Sequence, residues 1–219
     1  MGLFGIRGTS AELPVFDEQA RLEPVTSLRG SVSGFSFGGL SARALDVADA
    51  ALLGGKVRAV RAEQAALTRV DVRSVEFTGC ELGSLRWAGG KISRARFDGC
   101  KLLGARFEGV SLEHVVFTGC KLDYALFDKV RATGPVLFAG CSLREAEFSG
   151  CSLPGSLLDD CDLALAAFGP GGYRGCDLRG NDLSAVLGAH HLKRVVLDRA
   201  QVLQLASALA GELEINFGD

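Results

Sequence analysis

Phe97-Asp98-Gly99-Cys100-Lys101-Leu102 is preceded twenty residues earlier by Phe77-Thr78-Gly79-Cys80-Glu81-Leu82 and followed twenty residues later by Phe117-Thr118-Gly119-Cys120-Lys121-Leu122. Phe138-Ala139-Gly140-Cys141-Ser142-Leu143 comes next, at a spacing of 21. Within each copy two large apolar residues stand five apart. Extending that interval in both directions from Val32 through Phe37, Val57, Trp87, Phe107 and Phe127 to Ala132 gives 21 consecutive apolar residues. With 47% of the chain hydrophobic, chance produces such a run roughly once in a million trials or less. An internal repeat of this kind decides the architecture before helices or strands are considered.

A second series lies two residues before each centre and holds mostly small or medium side chains, among them Cys80, Ala95, Cys100, Ala105, Cys120 and Ala125. The register slips by one residue at Thr133-Gly134-Pro135 and resumes at Phe138, Leu143, Phe148, Leu153 and onward to Leu183; a second slip, one residue short, precedes Leu192 and Leu197. Two residues after each centre the chain is often Gly, as at Gly99 and Gly119. Glycine there permits the positive φ that a type II turn requires. A short extended piece and a tight turn every five residues make a corner, and four corners close a coil of about twenty residues. The centres count 33 sides, or about eight coils, a rod of roughly 35–40 Å at strand spacing.

Stacked coils place like residues over like. Phe77, Phe97, Phe117 and Phe138 form one core column; Trp87, Phe107, Phe127 and Phe148 form another; Cys80, Cys100, Cys120, Cys141 and Cys161 line a third. Each coil buries itself only against its neighbours, so both ends need covering. Asp198 with Gln201 predicts an N-cap box opening a helix over 199–210, with Gly211 as the stop. Val202, Leu205, Ala206 and Leu209 fall on one side of that helix, with Leu203 and Ala210 on another. Leu213, Ile215 and Phe217 alternate like a short strand. Residues 1–29 fit the five-residue rule poorly and are read as an arm or irregular cap, ahead of a repeat body over 30–198 and a capping and dimerisation segment over 199–219.

The large apolar centre with a small residue two before it is the pattern of the pentapeptide repeat, and the chain resembles pentapeptide repeat proteins over about three quarters of its length. That resemblance implies a right-handed quadrilateral β-helix. The stretch Gly175-Cys176-Asp177-Leu178-Arg179-Gly180-Asn181-Asp182-Leu183, followed by Val195-Val196-Leu197-Asp198-Arg199-Ala200-Gln201 and a helix, resembles the end of the Qnr-type quinolone-resistance proteins and the related mycobacterial MfpA. What this implies is a dimer formed through C-terminal elements, DNA gyrase or topoisomerase IV as partner, and an acidic rod of about the width of B-form DNA. Val202, Leu205, Ala206, Leu209, Ile215 and Phe217 are then the candidate dimer interface. Asp159, Asp160, Asp162, Asp177 and Asp182 form the candidate acidic partner surface.

Other function classes draw little support from the residues. Lys and Arg number 24 against 26 Asp and Glu, net −2, which argues against a sequence-wide grip on nucleic acid. From residue 30 to 110 the balance is net +4 and from 111 to 198 net −3, a mild dipole along the rod that puts whole-rod DNA mimicry in question. Three His offer poor material for a metal site. His190 and His191 are adjacent with no carboxylate or thiol near in sequence, and His114 stands at a turn. The Cys column follows from the repeat, because thiols are small and apolar enough for its slots. Gly169-Pro170-Gly171-Gly172 lacks the Lys and Ser/Thr of a phosphate loop. No acid–base or nucleophile constellation emerges, so the expectation is a non-enzymatic, cofactor-free cytoplasmic protein with free thiols. The alternative to the topoisomerase reading is a solenoid scaffold for an unrelated partner.

Overall fold

The computed structural model describes residues 2–16 and 22–215. The repeat region is a β-solenoid of about seven turns. Its last coil is held by isolated bridges such as Ala167↔Leu187 and Asp177↔Val196 rather than by strands, which accounts for a turn fewer than the centre count. In the first coils the strands run eight residues, Ser31–Gly38, Ser41–Ala48, Ala51–Arg58 and Arg61–Thr68, each bending round one corner. Every rung pairs in parallel with the coil above and below, as Phe97↔Phe77 and Phe97↔Phe117 show. The inserted residue is absorbed between Leu112↔Ala132 and Val115↔Val136 without a projecting loop.

Corners fall two residues after the centres, and φ is positive at most of them: +57° at both Gly99 and Gly119. Several corners hold other residues, including Arg94 (+49°), His114 (+53°) and Leu165 (+59°). No Val, Ile or Thr occupies such a position among the described residues, in keeping with the steric cost of a β-branched side chain there.

The interior is one continuous apolar cluster from Leu28 to Ala208. Phe77, Phe97, Phe117 and Phe138 stack face to face at 4.6, 4.7 and 4.8 Å. Phe107, Phe127, Phe148 and Phe168 do the same at 5.1, 4.8 and 5.2 Å. The two columns meet edge to face, as Phe127 and Phe138 do at 5.9 Å, the geometry the ring quadrupole favours. Trp87 sits 0% exposed at the head of the second column, and its indole N–H has no partner. Phe35 takes a slot that elsewhere holds a small residue. It fits because Gly55 lies directly below, where any Cβ would strike the ring.

At the N-terminal end, Glu23–Pro24 pairs with the first full strand, and Val25 and Leu28 pack on the core. The described part of the preceding segment, residues 2–16, does not cover that end. Gly2–Ile6 and Thr9–Leu13 form an antiparallel hairpin whose turn, Arg7 (φ 50°) and Gly8 (φ 88°), has the two left-handed residues of a type I′ turn. The hairpin lies along the side of the rod. At the other end a helix spans Gln201–Glu212. The strand expected from residue 212 onward is absent from the described part, since Glu212 ends the helix and Leu213 and Glu214 turn. Phe217 lies outside the described residues.

Candidate interaction surfaces

The C-terminal cap is polar at its centre. The column of Cys80, Cys100, Cys120, Cys141 and Cys161 continues, at intervals of twenty, into Asn181 and Gln201. Each member donates to a carbonyl of the coil before it: Cys161 Sγ to Phe138 at 3.5 Å, Asn181 Nδ2 to Leu158 at 2.9 Å, Gln201 Nε2 to Leu178 at 2.7 Å. Gln201 also donates to the Asn181 carbonyl at 2.8 Å, and its Oε1 accepts from Asp198 N–H at 2.7 Å. Half of the expected capping box therefore forms; the Asp198 carboxylate accepts from Gly180 N–H instead. Gln204 accepts from Leu183 N–H at 3.1 Å, and Glu212 from Ala189 N–H at 2.7 Å. Buried amides thus close the open edge that would otherwise recruit another strand.

This docking divides the candidate dimer interface. Leu205 and Leu209 pack against the core and are not free for a partner. The helix is apolar all round, and the polar groups at 201, 204 and 212 select the face that turns inward. Val202, Ala206 and Ile215 are exposed, together with Leu203, Leu213, Leu187 and Val196.

The candidate acidic residues do not form a free acidic surface. Asp159 pairs with Arg7 at 2.7 Å, Asp162 with Arg144 at 3.0 Å and Asp177 with Arg179 at 2.6 Å. The Arg179 hydrogen bonds hold the Asp177 carboxyl below its ordinary range despite its burial. Asp182 is held low by the Ser184 amide and hydroxyl, and Asp160 occupies a corner at φ 50°.

All seven cysteines are buried and free. The hydrogen bond to the Cys120 thiol, together with burial, pushes Cys100 up to about 12; burial alone is the leading cause at Cys151, about 11. Cys161, at the C-terminal end of the column, is shifted downward by its bond to Cys141. His190 has a carboxylate neighbour that the sequence did not suggest: its Nδ1 lies 2.8 Å from Glu212. Among the described residues no three His, Cys, Asp or Glu side chains converge as a metal site. No helix there is long and apolar enough to cross a membrane. One surface depression, of about 560 Å³, is an open groove beside Gly83, with Glu81 bridging Arg61 at 3.6 Å and Lys101 at 3.0 Å across it.

The surface that sequence reasoning missed lies under the hairpin. Val116, Leu137 and Leu157 point outward from three successive coils, yet all are 0% exposed, covered by Ala11 and Leu13 with Phe4 and Ile6 alongside. Glu12 pairs with Arg94 at 3.2 Å and donates its N–H to His114 Nδ1 at 3.1 Å. Arg7 adds a hydrogen bond to the Arg179 carbonyl. Toward the other end, Lys56 Nζ lies 4.7 Å from the centre of the Phe16 ring. The strap therefore spans coils from Lys56 to Arg179 along one face. The signal was present: the residue before the centre is Ser36, Lys56, Glu76 and Arg96 on the earlier coils of that face, then three aliphatics in a row.

A square β-solenoid of five-residue sides, with stacked Phe columns and glycine-rich corners, defines the repeat class. Residues 90–168 match the family model described as a pentapeptide repeat region, and the coils continue on both sides of that stretch. Over that stretch the chain is a pentapeptide repeat region. Among solved structures, a trypsin-treated variant of QnrB1, a plasmid-mediated fluoroquinolone resistance protein, aligns with 95% of this chain and 98% of its own at 20% identity and a TM-score of 0.45. HetL, a pentapeptide repeat protein involved in heterocyst differentiation regulation from the cyanobacterium Nostoc sp. strain PCC 7120, aligns with 78% of this chain and 88% of its own at 18% identity and a TM-score of 0.41. A comparison with curated proteins finds no match.

Proposed function

We propose that this chain is a non-enzymatic, cytoplasmic interaction rod that dimerises through its C-terminal end and binds a type II topoisomerase, DNA gyrase foremost, modulating its response to poisons such as fluoroquinolones. The observation that carries the reading is the C-terminal end itself. The segment 175–201, which resembles that of Qnr-type proteins, closes the rod through Asn181 and Gln201 while leaving Val202, Leu203, Ala206 and Leu213 exposed. An exposed apolar patch of that kind marks a protein contact, and a second copy is the occupant that makes a closed two-fold dimer.

The ion pairs at Asp159, Asp162 and Asp177 direct the gyrase contact away from simple imitation of a polyanion. Protection of the cleavage complex is the mode this surface fits better than exclusion of DNA. The test is gyrase supercoiling and drug-induced cleavage with rising amounts of folded protein, with and without a fluoroquinolone. Relief of cleavage at concentrations that leave supercoiling intact is the expected result. No effect on either reaction would refute the topoisomerase reading.

A further inference from the structure

Along the chain, residues 111–198 are net acidic, but the coil sorts those charges by face. One face carries the column Ser111, Arg131, Ser152 and Gly172, paired coil to coil, and Arg174 and Lys193 follow beside it. Lys129 and Arg194 stand at its corners, with φ of 52° and 61°. From Lys129 onward this face has five cations and no carboxylate. The opposite face, running through Lys121, Ser142 and Asp162, carries Asp123, Glu145, Asp160, Asp162 and Asp182 against only Lys121 and Arg144. The rod is polarised across its width in this half.

Arg131, Arg174, Lys193 and Arg194 are all exposed, and none forms an ion pair among the described residues. That sets them apart from Arg61, Arg86, Arg96, Lys101, Arg144 and Arg179 on the other faces, each of which is spent on a carboxylate. Gly150, Gly155, Gly172 and Gly175 leave the surface between them flat. The face exposes no Phe, Tyr or Trp to stack on a base, since Tyr173 points into the core at 2% exposure, and its one imidazole, His191, is half-buried against the His190 ring at 3.9 Å. Three strand spacings from Arg131 to Lys193 make about 14 Å, a length over which a duplex presents about eight phosphates.

We propose that this basic face is a docking surface for the phosphate backbone of double-stranded nucleic acid, bound without sequence preference. Guanidinium groups suit phosphate, flat backbone admits close approach, and the lack of an exposed Phe, Tyr or Trp favours a duplex over a single strand. The net charge of −2 works against a grip by the surface as a whole, and segregation by face supplies a local one. The proposal stands independently of any topoisomerase, since naked DNA is the ligand.

The test is fluorescence anisotropy of the full chain with a labelled random 20-base-pair DNA duplex at salt from 50 to 200 mM. Four phosphate contacts predict a roughly 100-fold loss of affinity over that range. The double variant Arg131→Glu/Arg174→Glu should bind at least tenfold more weakly at 50 mM and show a log–log salt slope shallower by about two. The control Lys121→Glu/Arg144→Glu, on the opposite face, should stay within twofold of the parent, with thermal melts confirming that both fold. No binding at 50 mM overturns the proposal, as does equal weakening by both double variants. Equal competition by poly-glutamate would assign the face to acidic protein and overturn it as well.

Discussion

Arg7 and Asp159 are 152 residues apart in sequence and form an ion pair at 2.7 Å, each about a quarter to a third exposed. The pair pins the tip of the N-terminal hairpin to a late coil, while Phe16 lies beside Lys56 near the start of the rod. In a solenoid whose coils touch only their neighbours, such a strap couples coils that otherwise share no contact.

Removing residues 1–16 should therefore uncover Val116, Leu137 and Leu157. Burial of aliphatic side chains contributes about 1.5–3 kcal/mol each, so the truncated chain should lose several kcal/mol in urea denaturation and bind a hydrophobic dye. Arg7→Ala alone should cost at most about 1 kcal/mol, the ordinary range for a partly exposed pair. An unchanged denaturation midpoint after truncation would contradict the docking.

Phe117 stacks between Phe97 and Phe138 and touches Phe107 edge-on. Phe117→Ala should destabilise by about 3–5 kcal/mol, because parallel rungs fix the backbone spacing and prevent collapse around the cavity.

Trp87 behaves differently. Its buried indole N–H lacks a partner, at a cost of about 1–3 kcal/mol, and the rungs below it carry Phe. Trp87→Phe should be close to neutral or stabilising by up to about 1 kcal/mol, read as a melting temperature equal to or above that of the parent.

Gln201 makes three hydrogen bonds at the closing edge. Gln201→Ala should leave the Asn181 carbonyl and the Asp198 N–H without these partners, while the Leu178 carbonyl keeps its bond from Asn181, with loss of about 1–3 kcal/mol. It should also produce concentration-dependent association by sedimentation, as the freed edge pairs with other chains.

The Asp177–Arg179 pair sets an acid limit. The folded pKa of Asp177 lies below its ordinary value, so its contribution is complete above about pH 4 and is lost as pH falls through the lower folded value. Asp177→Asn should lower the melting temperature at pH 7, and the gap to the parent should narrow as the pH falls below about 4. A gap of constant size across that range would show that the pairing carries no charge term.

Much of this fold is readable in the chain because its cause is local. Five-residue spacing of Phe, Leu and Cys determines the coil, the corners and the stacking partner of each core residue, since a residue meets its counterpart at a fixed interval of about twenty. The end-capping amide at Gln201 was legible for the same reason, being the next step of the Cys column. The contacts that escape such reading obey no interval. The hairpin is placed by three aliphatics more than a hundred residues away, and the strand expected beyond Glu212 had only alternation to support it.

The sequence by itself thus determined a square solenoid with an apolar ladder and a helix at its C-terminal end. Tertiary structure decided which side of that helix turns inward, because an all-round apolar helix is oriented only by the polar groups it must satisfy at Gln201, Gln204 and Glu212. It also decided how charge is distributed. A tally along the chain sums all four faces together, whereas a partner meets one face at a time, and only the coil brings Arg131, Arg174 and Lys193 to one side and Asp123, Asp162 and Asp182 to the other.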